Sequence, residues 1–204
     1  MMMTPPILLD FPDHFETDRL LIRAPRPGDG AAVHEAVCET LDALRQWLPW
    51  ALPEPSVAIS EEFARRGAAN FITRDDLPLL LWLRDGSMLV GASGLHPRDW
   101  TVPWFEIGYW CRARFEGQGY ISEAVRGISQ FAFEYLSARR LEIRCDARNE
   151  RSARAAERAG FQLEGRLHSH MLDTRGYLRD SLVFAYLPAG EENSSPVAEG
   201  RRQP

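Results

Sequence analysis

The stretch ARFEGQGYISEAV, residues 113–125, decides how the chain is read. An arginine, Arg114, is followed by two glycines, Gly117 and Gly119, with one residue between them. An apolar-periodic helix opens directly after the second glycine, and WFEIGYWCR (104–112) before it reads as a strand. A helix whose first turn lacks side-chain caps offers free N–H groups and the positive end of its dipole, which together make an anion site. Glycines remove Cβ atoms where an anion must approach the backbone closely. Arg114 places a forked cation nearby. The combination fits a pyrophosphate cradle, although two glycines at a strand–helix turn also serve tight packing alone. Two better-known cradles are excluded. A Walker A loop ends in Gly-Lys-Ser/Thr, and all 24 basic residues of this chain are arginine. The dinucleotide fingerprint wants a third glycine three residues on, where this chain has Ser122.

Outward from that loop the hydrophobic period alternates. RLLIRAP (19–25) reads as a strand closed by proline, and residues 29–48 carry Val33, Ala36, Val37, Leu41 and Leu44 at helical spacing. WLPW (47–50) breaks that helix. A second helix over 56–72 has Ser56 or Ser60 as its cap. Residues 77–95 form two apolar runs around Asp85-Gly86-Ser87, a hairpin signal. After the glycine loop, a helix sets Ile121, Ala124, Val125, Ile128, Phe131, Ala132 and Tyr135 on one face. LEIRCD (141–146) alternates as a half-buried strand does. Residues 149–160 read as a short helix with Asn149 as N-cap and Gly160 as its stop. Two closing strands follow. The fold class is α/β, a mixed, largely antiparallel twisted sheet of about seven strands flanked by helices. Residues 1–14 are expected to be an irregular lead-in, 15–188 one domain, and 189–204 a disordered tail rich in Pro, Gly, Ser and charge.

Composition narrows the function classes. The net charge of −5 disfavours a nucleic-acid partner. No apolar run reaches the roughly 18 residues of a membrane span, and the N-terminus lacks a basic segment and a cleavage site. A cytoplasmic protein, monomer or homodimer, is expected. Three scattered cysteines without a CxxC spacing disfavour disulfides and a thiolate metal site. His168 and His170 share a strand face but lack a third ligand, so no metal is expected.

Residues 106–167 resemble the core of the GNAT acetyltransferases, and more closely the RimJ/RimL-type N-terminal acetyltransferases of bacterial ribosomal proteins. The family's Arg/Gln-x-x-Gly-x-Gly/Ala signature is matched by Arg114, Gly117 and Gly119. Its Asn-x-x-Ser followed by Gly-Phe is matched by Asn149, Ser152, Gly160 and Phe161. TDRLLIRAP and WLPW are also similar to this branch, and the resemblance runs from about Thr17 to Leu187. It implies acetyl-CoA as co-substrate, its pyrophosphate on the loop amides and its pantetheine arm along Ile107–Arg112. Carried over by position, the cofactor contacts are Trp110, Arg112, Arg114, Gly117, Gln118, Gly119, Tyr120, Ile121 and Asn149.

The same resemblance implies a primary-amine acceptor, such as a ribosomal-protein N-terminus, an antibiotic or an amino acid. A free α-amine, with pKa ~7.7–8.0, costs about 1 kcal/mol to deprotonate at pH 7, against about 4.6 kcal/mol for a lysine amine. Glu106, on the strand implied to carry the thioester, is the candidate base. Backbone N–H groups near Tyr109 and Trp110 are candidates for the oxyanion. Many relatives have a tyrosine where this chain has Ala156, so Ser152 is the candidate partner of the departing sulfur. Trp47, Trp50 and His96 are candidates for the acceptor wall. Cys111 beside the thioester path raises an acyl-cysteine relay; direct transfer is the simpler route. A non-catalytic CoA-binding module is the alternative from another class.

Overall fold

The computed structural model describes residues 4–187; the first three residues, Pro188 and the expected disordered tail at 189–204 lie outside the described residues. Eight strands and four α-helices run in the order β1 (His14–Glu16), β2 (Leu20–Arg23), α1 (Gly30–Trp47), α2 (Val57–Thr73), β3 (Leu77–Leu83), β4 (Leu89–Asp99), β5 (Trp104–Cys111), α3 (Tyr120–Tyr135), β6 (Arg140–Asp146), α4 (Glu150–Arg158), β7 (Gln162–Leu172) and β8 (Leu178–Tyr186). All form one sheet, ordered β1-β2-β3-β4-β5-β6-β8-β7. Every neighbouring pair is antiparallel except β5 and β6.

The count of about seven strands is corrected to eight by β1, a three-residue strand too short to leave a periodic trace. The lead-in also carries Phe11, whose ring packs edge-on against Phe71 and Phe131. Ser56 rather than Ser60 caps α2, its hydroxyl accepting from Ile59 N. Asn149 caps α4 in the same way, accepting from Ser152 N.

Apolar side chains bury on both sheet faces. One core unites Leu20, Ile22, Leu79, Leu81, Phe105 and Ile107 with Val125, Ile128 and Phe131 of α3. The other packs Val33, Val37 and Leu44 of α1 on Leu80, Leu89 and Ala92. Tyr135, placed by its period on the inner face of α3, is exposed at that helix's last turn. The half-buried reading of β6 is corrected too. Residues on both of its faces are buried, Arg144 alone being exposed, and Glu142 lies between the guanidiniums of Arg140 and Arg144. Neighbours in the sheet decide this, and alternation within one strand cannot report them.

Candidate active site

Parallel pairing of β5 and β6 covers only Trp104–Glu106 against Arg140–Glu142. Beyond that point the strands part. The opening is a cleft of about 520 Å³ walled by Ile107–Cys111 of β5 and Ile143–Asp146 of β6. Where the backbone ladder between β5 and β6 ends, main-chain groups on the β6-facing edge of β5 are left available to a ligand.

The N-terminus of α3 closes one end of the cleft. Gly119 is its N-cap at φ 82°, with no side-chain cap hydrogen bond. Gly117 holds φ 74°. Both sit in the left-handed region that glycine enters without a steric cost. A Cβ on Gly117 would meet nothing within 4 Å, and one on Gly119 only Arg19 Nη2 at 3.6 Å. Both glycines line the cleft, and the first-turn amides of α3 have no intrahelical acceptor. That is the fit a phosphate needs.

Trp47, Glu106, Trp110, Gly117, Gly119, Tyr120, Ile121, Asn149 and Ser152 all line this cleft. Three expected contacts do not. Arg112 is 2% exposed and ion-paired with Glu39 at 2.8 Å and with Glu35, both on α1. Arg114 turns the same way, its Nε donating to Glu39 Oε1 at 2.9 Å. Gln118 folds back, its amide donating to Arg114 O at 2.8 Å. The acidic stripe of α1 thus captures the two arginines that sequence proximity assigns to the cradle. Position in the loop could not reveal it, because α1 lies some 70 residues earlier.

Other cations stand at the loop and along the cleft. Arg19 lies behind the loop, donating to Glu123 Oε2 at 2.6 Å and Gln118 O at 3.1 Å, with its guanidinium 4.2 Å from the Tyr120 ring centroid. Arg151, Arg154 and Arg158 of α4 line the cleft itself. Their i, i+3, i+7 spacing puts them on a single basic face, a signal that reading residues 149–160 only for their cap and stop leaves unused.

Below the cradle, Ser152 Oγ donates to Tyr109 Oη at 3.2 Å, and Tyr109 Oη donates to Ser152 O at 2.9 Å. Burial pushes the Tyr109 phenol up to about 12, so it stays a neutral donor. Ala156, at the position where the family resemblance leads one to expect a tyrosine, is fully buried. The phenol that meets Ser152 comes from β5. Burial also pushes the Cys111 thiol up to about 12, helped by Glu116. A thiol so reluctant to ionise is a poor nucleophile, which argues against the acyl-cysteine relay.

Glu106 faces away from Phe105 and Ile107, towards the α1–α2 side. Its Oε2 accepts from Arg98 at 2.8 Å, with Arg144 Nε at 3.8 Å. Trp50 and His96 do not line the cleft. They line a second cavity of about 630 Å³ between α1, α2 and the sheet, which shares Leu48, Gly108, Tyr109 and Trp110 with it. Trp50 and Trp110 stand with ring centroids 6.3 Å apart. His168 contacts Asp180 and His170 contacts Ser181. Among the described residues no group of three or more His, Cys, Asp or Glu could hold a metal, and no helix is long and apolar enough to cross a membrane.

A sheet split beside an uncapped helix N-terminus agrees with the family comparison: residues 19–162 match the "Acetyltransferase (GNAT) domain", and the chain belongs to this family of N-acetyltransferases. It is 32% identical over 171 residues to "Putative ribosomal N-acetyltransferase YdaF" of Bacillus subtilis (strain 168), covering 83% of this chain and 92% of that one. It is 28% identical to the ribosomal-protein-serine acetyltransferase of Escherichia coli (strain K12), covering 65% and 73%. Among solved structures, RimL, a ribosomal L7/L12 alpha-N-protein acetyltransferase in complex with coenzyme A, superposes with a TM-score of 0.77 at 22% identity, over 84% of this chain and 95% of that one. At that identity the likeness concerns the fold. The resemblance to the RimJ/RimL branch and the α/β fold expected from the sequence are both borne out.

Proposed function

We propose that the chain moves the acetyl group of acetyl-CoA to a primary amine, the α-amine of a protein N-terminus, by direct attack in a ternary complex. The observation that carries this reading is the parting of β5 from β6 in front of the open, uncapped turn of α3. The likeness to ribosomal-protein acetyltransferases supports a protein acceptor, a ribosomal-protein N-terminus among the candidates.

Amides at Gly119–Ile121 hold the diphosphate of the bound co-substrate, and Arg151, Arg154 and Arg158 add charge along the same wall. The free inner side of β5 from Ile107 to Cys111 pairs with the pantetheine amides. Acetyl-CoA supplies an activated acyl carbon and a thiolate leaving group. Trp47 and Trp110 bound the acyl end; Glu106 and Asn149 line the cleft beside it. Ser152, backed by the neutral Tyr109, is the hydroxyl available to the sulfur.

The sequence left open a small-molecule amine acceptor and a CoA-binding module without catalysis. The Tyr109–Ser152 pair favours catalysis, because it keeps hydroxyls on the cleft wall although Ala156 has none. Calorimetric titration with acetyl-CoA, followed by a thiol-release assay with N-terminal peptides and small amines, tests the reading. Binding with turnover of peptide α-amines is expected. Binding without turnover of any amine would leave the module, and turnover of small amines alone would move the acceptor class.

A further inference from the structure

The cavity on the α1–α2 side has a polar floor. His96 stands on β4 directly opposite Glu106 of β5, and Gly94 stands opposite Gly108. The His96 ring occupies the space that this pair of glycines leaves. A Cβ on Gly94 would come within 3.0 Å of ring Cε1, and one on Gly108 within 3.2 Å of Nε2. His96 Nδ1 lies 2.7 Å from Asp76 Oδ1, in the turn before β3. A carboxylate on Nδ1 keeps the proton on that nitrogen and leaves the Nε2 lone pair free to act as a base. Nε2 thus lies against Gly108, where β5 has just left β6 and where the cavity shares its wall with the cleft.

We propose that the Asp76–His96 pair takes the proton from the incoming amine, and that the cavity above it seats an amine on an apolar, uncharged body. This rests on the acetyltransferase reading of the cleft. Val37, Leu41, Trp50, Ile59, Phe63 and Trp110 give the cavity its apolar walls. Asp76 and Glu54 are its carboxylates, the first against His96 and the second paired with Arg45 at 2.6 Å, and no arginine lines the cavity among the described residues. An ammonium is attracted there and an anionic side chain is repelled. One ammonium proton passes to Nε2. The freed nitrogen lone pair then forms the C–N bond to the acyl carbon as the C–S bond breaks. The second proton, shed by the new amide nitrogen, neutralises the CoA thiolate, and Nε2 returns its own proton to solvent. Glu106 is the poorer acceptor, since protonating it would discharge its pairing with Arg98 and Arg144.

The charged groups around the imidazole are Asp76 before β3 and Glu106 on β5 with Arg98 of β4 on its carboxylate; Glu54, between α1 and α2, lines the same cavity and is paired with Arg45. The lining residues of α1 and α2 are uncharged. The test is steady-state kinetics against pH with 2-phenylethylamine, glutamate and an alanine-initiated peptide, for wild type, H96Q, D76N and E106Q, with acetyl-CoA affinity measured by calorimetry. In H96Q, kcat falls at least a hundredfold, in the ~10²–10⁴ range of positioned bases. Its kcat/KM profile loses the acidic limb, while acetyl-CoA affinity stays within about twofold. D76N, a positioning change, lowers kcat at least tenfold and moves that limb; it carries the test if H96Q fails to fold. A larger loss in E106Q than in H96Q, or an acidic limb unchanged in H96Q, overturns the assignment while leaving acetyl transfer intact. Equal turnover of glutamate and phenylethylamine overturns the substrate class. A wild-type protein that binds no acetyl-CoA overturns both this inference and the reading beneath it.

Discussion

Glu39 ties the cofactor loop to α1, and replacing it with glutamine is the most informative single perturbation of the scaffold. Its carboxylate accepts from Arg112 Nε at 2.8 Å and from Arg114 N and Nε at 3.0 and 2.9 Å. The side chain is 22% exposed, whereas Arg112 is 2% exposed. The guanidinium of Arg114 first, and that of Arg112 after it, hold the Glu39 carboxyl at about 2 instead of the usual 4.5. At ~1.4 kcal/mol per pH unit this gap has a ceiling of about 3.5 kcal/mol. Partial exposure and the surviving Glu35 pair reduce it, so about 2 kcal/mol is expected for Glu39→Gln at pH 7. For a chain of this length that lowers Tm by roughly 4–8 °C. A carboxyl depressed in the folded state stabilises fully above its unfolded pKa and loses that contribution as pH falls towards the folded one. The gap between wild type and variant should therefore shrink below pH 5, with about three fifths of it gone by pH 3. Urea unfolding at pH 7, 5, 4 and 3 reads both numbers. Calorimetry on the same variant should show weaker acetyl-CoA binding, because Ala113–Gly119 hangs from this anchor and from Thr40, whose Oγ1 accepts from Ala113 N. A loss below about 0.5 kcal/mol at pH 7, the scale of an ordinary surface change, would refute the argument. A gap that stays constant down to pH 3 would refute it equally.

Gly119→Val puts a branched side chain at φ 82° where the amides must be reached, and acetyl-CoA affinity should drop more than tenfold, or ~1.4 kcal/mol; a smaller drop by calorimetry would place the diphosphate elsewhere. Ser152→Ala should lower kcat roughly tenfold or more with acetyl-CoA affinity little changed, and Tyr109→Phe should follow in the same direction. Unchanged kcat in both would remove that pair from the chemistry. Arg154→Ala and Arg158→Ala should each weaken acetyl-CoA several-fold and flatten the salt dependence of its affinity, as removing a phosphate-facing charge does. Titrations at two ionic strengths decide it, with parallel salt slopes counting against a role for these arginines.

Most of the chain's elements were legible because their signals are local. Helical spacing in α1 and α3, the Asp85-Gly86 turn and the Ser56 and Asn149 caps depend on neighbours within a few residues. The open turn at Gly117 and Gly119 was legible for the same reason, since the absence of a Cβ is written in the sequence itself. Short β1 and the double burial of β6 were not, because pairing and coverage come from distant strands.

The sequence by itself determined the family, the order of the elements and the bare loop that opens α3. The tertiary structure alone decided which charges stand at that loop. It sent Arg112 and Arg114 to Glu39, brought Arg19 and the α4 arginines round, set Tyr109 beside Ser152 and tied His96 to Asp76. The physical reason is one of range. Backbone conformation is set over a few residues, but a charge or a hydroxyl is claimed by whichever partner the folded chain brings within about 3 Å, and those partners lie 20 to 104 residues away along the chain.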